Sequence, residues 1–316
     1  MPVSRAPGYI DLSSDGVMKA TQKIYSKKTQ IKFYAEDVFG TITNRDYEGD
    51  LKSLGDEVII RTIPDTTVRP YVKDADLVYE TPESSAISMT VNKAQYIATR
   101  IDRIDEKLTD INWMDKWADD GNKQMKIAID RSILNAVWVD SASKNKGATA
   151  GYISGGYNLG VQATPLVPTN TATDHTNPVQ MILNAEAALS EYNVPEDEDR
   201  FMIAPTWFIN RLQSGELRRA DVSGPAAAQE LLRRGHVGQI GYFNIYRNNN
   251  ILPDATAGGY PIIFGHKSAI CFAAALTETE TLKHPTKFGT IMRSLMVYDW
   301  KTIKPESLGV LWVKPS

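Results

Sequence analysis

Between residues 101 and 139, apolar side chains recur at spacings of three and four: Ile104, Leu108, Ile111, Met114, Ala118, Met125, Ile129 and Ile133, interrupted only around Gly121. That period places them on one stripe of an α-helix. At 1.5 Å per residue such a helix reaches about 58 Å, long for a compact globule. Asp102, with Asp105 three residues on, can cap its start. A helix of this kind serves as a spine on which other elements lie; a plain core helix bent at Gly121 fits the same residues equally well.

What precedes the helix is extended. Residues 1–55 mix Gly, Ser, Asp and Lys and hold no sustained period apart from a short helix around Val17 to Tyr25, so they read as an arm. An arm makes few contacts of its own and orders by lying on another surface. Residues 56–98 change to a β pattern: Val58 to Ile63 is β-branched and stops at Pro64, and Ile87, Met89 and Val91 alternate with Ser88, Thr90 and Asn92. Between these strands lies a polar tip with Pro70, Lys73, Asp74 and Asp76, which makes the segment a long hairpin. A two-stranded hairpin is marginal alone, so the face bearing Val58, Ile60, Ile87, Met89 and Val91 needs a partner surface. That partner is this chain's own domain or a neighbour's.

After the helix, residues 141–177 are rich in Ser, Thr, Asn and Gly and form the best domain crossing. A second helix starts at Asn177-Pro178, presents Met181, Ile182, Ala185 and Leu189 on one face, and ends before Pro195. Arg200 to Ala204 reads as a strand, Thr206 as the cap of a short helix from Trp207 to Leu212, and Tyr242 to Tyr246 as a strand ending in the tip Asn248-Asn249-Asn250. This alternation implies an α/β second domain inside an α+β chain. Further strands are expected near 262–264, 291–300 and 308–313, where the chain re-enters its first domain.

Composition excludes several classes. The longest apolar stretch, Ala269 to Leu276, is far too short to cross a bilayer, which takes about 20 residues. No secretory signal opens the chain, so synthesis and first folding are expected in the cytoplasm. The single cysteine, Cys271, lies within that apolar stretch and reads as a buried structural thiol. Net charge is −3, but residues 1–32 carry six cations against Asp11 and Asp15, leaving an acidic body behind a basic arm suited to acidic partners. The basic-leaning zone of Arg211, Arg218, Arg219, Arg233 and Arg234 is interspersed with acids and suits either a solvated helical face or a subunit interface.

Signs of chemistry are sparse. The four histidines are scattered, Gly155 to Gly160 lacks the lysine of a phosphate loop, and Glu196 to Asp199 lacks the spacing of a calcium loop. No catalytic, cofactor or metal site is expected.

The order of elements resembles the tailed-phage major capsid family, whose fold is shared with encapsulin shells. The likeness spans about residues 30–316. Asp65 to Val72 is similar to that family's extended loop (the E-loop), Asn92 to Tyr96 through Asp102 to its return into the spine helix, and Arg200 to Pro205 to the strand entering its axial domain. Gly235 to Gly241 with Ile245 to Asn249 is similar to the glycine-spaced strand there, and Arg293 to Tyr298 with Ile303 to Glu306 to the terminal peripheral strands.

The resemblance implies an arm (1–55), an E-loop hairpin (56–98), a peripheral domain with the spine helix (99–176 and 256–316) and an axial domain (177–255). It implies a homo-oligomer of pentamers and hexamers forming an icosahedral virion shell around double-stranded DNA, assembled in the host cytoplasm. A portal protein and packaged DNA in weak, non-specific contact are its partners, with no membrane. The alternative is an encapsulin-like nanocompartment, disfavoured by the long basic arm. On this reading Val58, Ile60, Ile87, Met89 and Val91 touch a neighbouring subunit, and charge placed at Ile87 or Met89 blocks assembly without unfolding the subunit. Lys19, Lys23, Lys27, Lys28 and Lys32 touch a neighbour or an acidic scaffolding protein. That protein is expected to be separately encoded, because the chain starts at Met1 and the hairpin already begins by residue 56. Covalent crosslinking through Lys73 or Lys93 is not expected, since no buried glutamate is marked as the base.

Overall fold

The computed structural model describes residues 32, 34–35, 37–47, 57–64, 66–74, 76–84, 86–108, 112–169, 176–214 and 238–315. The expected helix at 17–25, Lys19, Lys23, Lys27 and Lys28, and the arginines from 218 to 234 lie outside them.

Strand β4 (Arg200–Ala204) organises the core. All five residues are buried, so both faces of the strand must be covered. Its alternate side chains enter two different clusters. Met202 and Ala204 join Met181, Ile182, Ala185 and Leu189 of α4 (Pro178–Ser190) and Phe208, Ile209 and Leu212 of α5 (Thr206–Ser214). Phe201 and Ile203 join Met125, Ile129 and Ile133 of α3 (Trp113–Leu134) on the opposite side. The sheet is therefore the middle layer between two sets of helices. Its order is β10-β7-β4-β6-β5, with β5 Gln239–Ile240, β6 Phe243–Arg247, β7 Tyr260–His266 and β10 Leu308–Val313. Strand β6 is parallel to β4, and β7 and β10 are added antiparallel. The expected division at residue 256 thus cuts through a sheet, because β7 and β10 complete what β4 and β6 begin.

The start of α4 follows the sequence reading: Pro178 sits in the first turn and the Asn177 side chain accepts the Val179 N–H at 2.9 Å. Thr206 behaves differently, its hydroxyl donating to Asn249 Oδ1 at 2.7 Å.

The long helix is divided. Residues expected at its start instead continue strand β3 (Lys93–Asp102), followed by the short α2 (Arg103–Leu108) and then α3, whose 22 residues span about 33 Å. Asp102 does cap, but for α2, accepting the Ile104 N–H at 2.9 Å. Asn112 caps α3. Ile104 and Leu108 are consequently exposed rather than on a buried stripe. Gly121 is no bend: it lies inside α3 where a Cβ would stand 3.0 Å from Ile97 Cδ1, so its missing side chain lets β3 cross the helix closely.

A second sheet, β3-β9-β8, carries β3 along the antiparallel pair β8 (Ile270–Lys283) and β9 (Gly289–Thr302), with a bulge between Ala274 and Leu276. Buried Cys271 lies in β8 as a structural thiol.

Part of the arm lies on the chain itself. Its short helix α1 (Phe39–Ile42) packs on α3, and Phe39 meets Phe272 with ring centroids 5.2 Å apart. Asn44 then joins the edge of β8, donating to Ile270 O at 2.8 Å and accepting the Phe272 N–H at 2.9 Å.

Candidate functional site

The hairpin forms as the alternation requires. Strand β1 (Glu57–Arg61) pairs antiparallel with β2 (Ala86–Thr90), placing Val58 opposite Met89 and Ile60 opposite Ile87. Met89 and Val91, however, are buried within the subunit, clustered with Cys271, Ala273 and Val297 of β8 and β9. Ile60 is also buried, while Val58 and Ile87 are half-buried. The expectation that this face contacts a neighbour therefore needs correcting for Ile60, Met89 and Val91, whose partner surface is supplied by the same chain.

The open surface is the loop joining the strands. Between residues 62 and 84, Ile63, Val68, Tyr71, Val72, Leu77, Val78 and Tyr79 are all exposed, Ile63 and Val68 at 94% and Tyr79 at 87%. The two legs are tied by the Thr67 N–H to Glu80 Oε1 at 2.6 Å and by Arg69 to Glu80 at 3.5 Å. Asp74 turns the chain at a left-handed φ of 64°. The loop is held in shape, yet its seven large apolar side chains are left in water. Large apolar side chains exposed together on one loop make it the candidate interaction surface.

Of the arm lysines, Lys32 is described, and it is engaged within the chain. Its Nζ lies 2.7 Å from Asp120 Oδ1, and the Tyr34 hydroxyl donates to the same oxygen at 2.7 Å. Hydrogen bonds from Lys32 and Tyr34 hold the Asp120 carboxyl below its usual range, and the bond to Asp120 pushes the Tyr34 phenol up. The sign follows for each group. A depressed carboxylate favours the docked arm at neutral pH and loses that effect as pH falls below about 4. A raised phenol favours docking up to its unfolded value and loses the effect above about pH 10. Hydrogen exchange of peptides spanning 34–47 should thus be slowest between those limits, after correction for intrinsic rates. Asp120→Asn should remove the acid-side change, and a pH-independent wild-type profile would contradict the clasp.

Ten residues along α3, Asp130 is fully buried and accepts four N–H donors. Val38 N and Phe39 N reach Oδ1 at 3.1 and 3.0 Å, and Asn248 Nδ2 and Asn250 Nδ2 reach Oδ2 at 2.8 and 2.7 Å. Asn248 and Asn250, expected as a polar tip, are buried by this carboxylate. Sequence reasoning missed Asp130; its only signal is a charged residue between the stripe positions Ile129 and Ile133.

Catalytic groupings are thin. His266 Nδ1 lies 2.8 Å from Ser268 Oγ and accepts the Ser268 N–H at 3.2 Å, while Nε2 lies 3.1 Å from Asp197 Oδ1. The types match a hydrolytic triad, but the imidazole is fixed as the cap of a tight turn. Asp197, Asp199 and His266 come within 4.8 Å of one another, the nearest approach to a metal-binding group among the described residues. Lys93 pairs with Asp299 at 2.9 Å and lies 4.3 Å from the Trp300 ring centroid. Among the described residues, Glu186 is the carboxyl raised by burial, and it sits on α4 against the β5–β6 turn rather than in the hairpin. No helix among the described residues is long and apolar enough to cross a membrane.

This α+β architecture is the phage capsid fold, and solved structures match it over nearly the whole chain. One from Mycobacterium phage Che8 is 21% identical, covering 92% of this chain and 96% of the other, with a TM-score of 0.69. The capsid of the cyanophage P-SCSP1u is 14% identical, with 98% of both chains covered and a TM-score of 0.73. The capsid of a native GTA particle is 10% identical, covering 94% and 96%, with a TM-score of 0.66. No protein-family model and no curated protein sequence matches the chain.

Proposed function

We propose that this chain is the major capsid protein of a tailed bacteriophage, a structural subunit that assembles as pentamers and hexamers into an icosahedral shell around double-stranded DNA. The observation that carries the reading is the exposed apolar loop at 62–84 on a phage capsid fold. A fold alone does not assign a function, but this surface needs a partner that the subunit lacks, and a repeating shell supplies one at every position. The hairpin with its loop then acts as the E-loop over a neighbouring subunit, α3 as the spine helix, and the α4–α5 side of the large sheet as the axial domain. Among the described residues Cys271 is buried in β8 and His266 and His284 hold turns, placements that serve structure.

The basic arm before residue 32 remains the proposed contact for a separate scaffolding protein, with a portal protein at one vertex and the DNA held by weak, non-specific contacts. Identical subunits must occupy slightly different environments in such a shell, so their interfaces are weak enough to permit wrong curvature.

The test is electron microscopy of the chain made with its scaffold, where closed shells are expected and a small, fixed oligomer would refute the proposal. The triple variant Tyr71→Ser, Val78→Ser, Tyr79→Ser should form no shells while its melting temperature stays within a few degrees of wild type, because solvated positions contribute only about 0.5 kcal/mol each to folding. Particles from infected cells should contain DNA; particles holding enzyme cargo and no genome would favour a nanocompartment.

A further inference from the structure

A cleft of about 790 Å³ opens between α2 and the turn joining β8 to β9. Its walls are joined by the Arg103 N–H to Phe288 O at 3.4 Å. Arg103 and Lys107 line it from α2, one helical turn apart, and Lys283 and Lys287 from either side of the turn. Glu106 is the one carboxylate in the lining, so the cleft is basic in a chain whose net charge is −3. All four cations are exposed, and among the described residues no carboxylate lies within ion-pair distance of any of them. Like charges gathered on one concave surface repel one another and concentrate positive potential, and a bound anion relieves both.

The turn holds its shape without these cations. His284 Nδ1 accepts the N–H groups of Thr286 and Lys287, both at 3.1 Å. The proton of the neutral imidazole is therefore on Nε2, which adds a donor to the lining. The His284 N–H closes the turn on Gly289 O at 3.0 Å, and the ladder of β8 with β9 runs up to Lys283 opposite Thr290. Donors carried on a braced turn lose little freedom when a ligand arrives.

The ligand is set by how the charge is spread. A lone phosphate or carboxylate fills a small part of this volume and meets one or two of the side chains, whereas a chain with a charge on every unit meets all four. Three of the four are lysines, compact point charges on flexible stems that suit spaced phosphate oxygens better than a single planar carboxylate. Phe288, also in the lining and 82% exposed, offers an apolar face to a sugar or base.

We propose that the cleft between α2 and the β8–β9 turn binds the phosphodiester backbone of nucleic acid without regard to sequence. The occupant rests on the shell reading, in which DNA is the enclosed polyanion; the cleft itself rests on its own geometry. Contacts of this kind read charge and spacing rather than bases, and they weaken steeply with salt.

The experiment follows a fluorescein-labelled duplex of about 24 base pairs binding to the full-length subunit by anisotropy, from about 50 to about 200 mM NaCl. Lys283→Gln with Lys287→Gln should weaken binding about tenfold or more at the low-salt end and make the slope of log K against log salt shallower by about 2. Arg103→Gln with Lys107→Gln, on the opposite wall, should do the same. Thermal melting checks that each pair folds, and if one pair does not, the other carries the test. Lys126→Gln with Lys301→Gln removes the same charge from exposed positions elsewhere and should leave the slope unchanged. A wild-type slope in a folded cleft variant overturns the inference and assigns DNA binding to the basic arm at 1–32; an equal loss in the control pair overturns it in favour of net charge alone. Either result leaves the shell reading intact, since that is decided by whether particles form. Failure of the wild-type chain to form shells with its scaffold would remove the shell reading while the titration still decides the cleft.

Discussion

Met89→Asp is expected to unfold the subunit. Met89 is 1% exposed and closes the small cluster of Val91, Cys271, Ala273 and Val297. Truncating a buried methionine costs about 2–5 kcal/mol through lost burial and the cavity left behind. An unpaired carboxylate in the same space adds several more kcal/mol, or is protonated at a comparable cost. The sum approaches the whole stability of a typical domain, about 5–15 kcal/mol. The variant should therefore lose its cooperative melting transition and accumulate as insoluble protein. Tyr79→Asp, at the open end of the same hairpin and 87% exposed, should melt like wild type. A folded, soluble Met89→Asp subunit that merely fails to assemble would return this face to the inter-subunit surface.

Both results turn on something the alternation at 86–91 does not contain. Period 2 says that one face of a strand is covered, and here it is, but it does not say by whom. The pairing of β1 with β2 was legible from β-branched residues and the polar tip; the cover supplied by β8 and β9 comes from Cys271, Ala273 and Val297, far along the chain. The start of α4 was legible because Asn177 and Pro178 act locally, and β4 because the apolar run Phe201 to Ala204 between turn residues has few other uses. Residues 101–108 misled because Ile104 and Leu108 fit the spacing of the helix that follows, whereas β3 runs on to Asp102 and α2 stops at Leu108. At Gly121 a local reading gives a bend, whereas the cause is the close approach of Ile97. The exposed loop was visible as a polar tip followed by the short run Leu77-Val78-Tyr79, and the exposure of its seven apolar residues was not, since they show no period.

Asp130→Ala should release the arm and destabilise the fold together. Asp130 is reached by backbone N–H groups 91 and 92 residues earlier and by side-chain amides 118 and 120 residues later, so one buried carboxylate joins α1, α3 and the segment after β6. Removing it takes this acceptor from four donors at a fully buried position, and each buried group that loses a partner costs about 1–3 kcal/mol. Relaxation recovers part of this, giving an expected loss of about 3–5 kcal/mol. Chemical denaturation should show it as a lower midpoint at an unchanged slope, since the surface exposed on unfolding is the same. Hydrogen exchange should show the amides of Val38 and Phe39 losing protection before those of β4. Asp130→Asn keeps one acceptor oxygen for the arm but sets an NH₂ group against Asn248 and Asn250, so its loss should be smaller and should fall on the segment after β6. Equal protection of residues 38–44 in wild type and Asp130→Ala would show that Phe39 and Ile42, both buried against α3 and β8, hold the arm by packing alone.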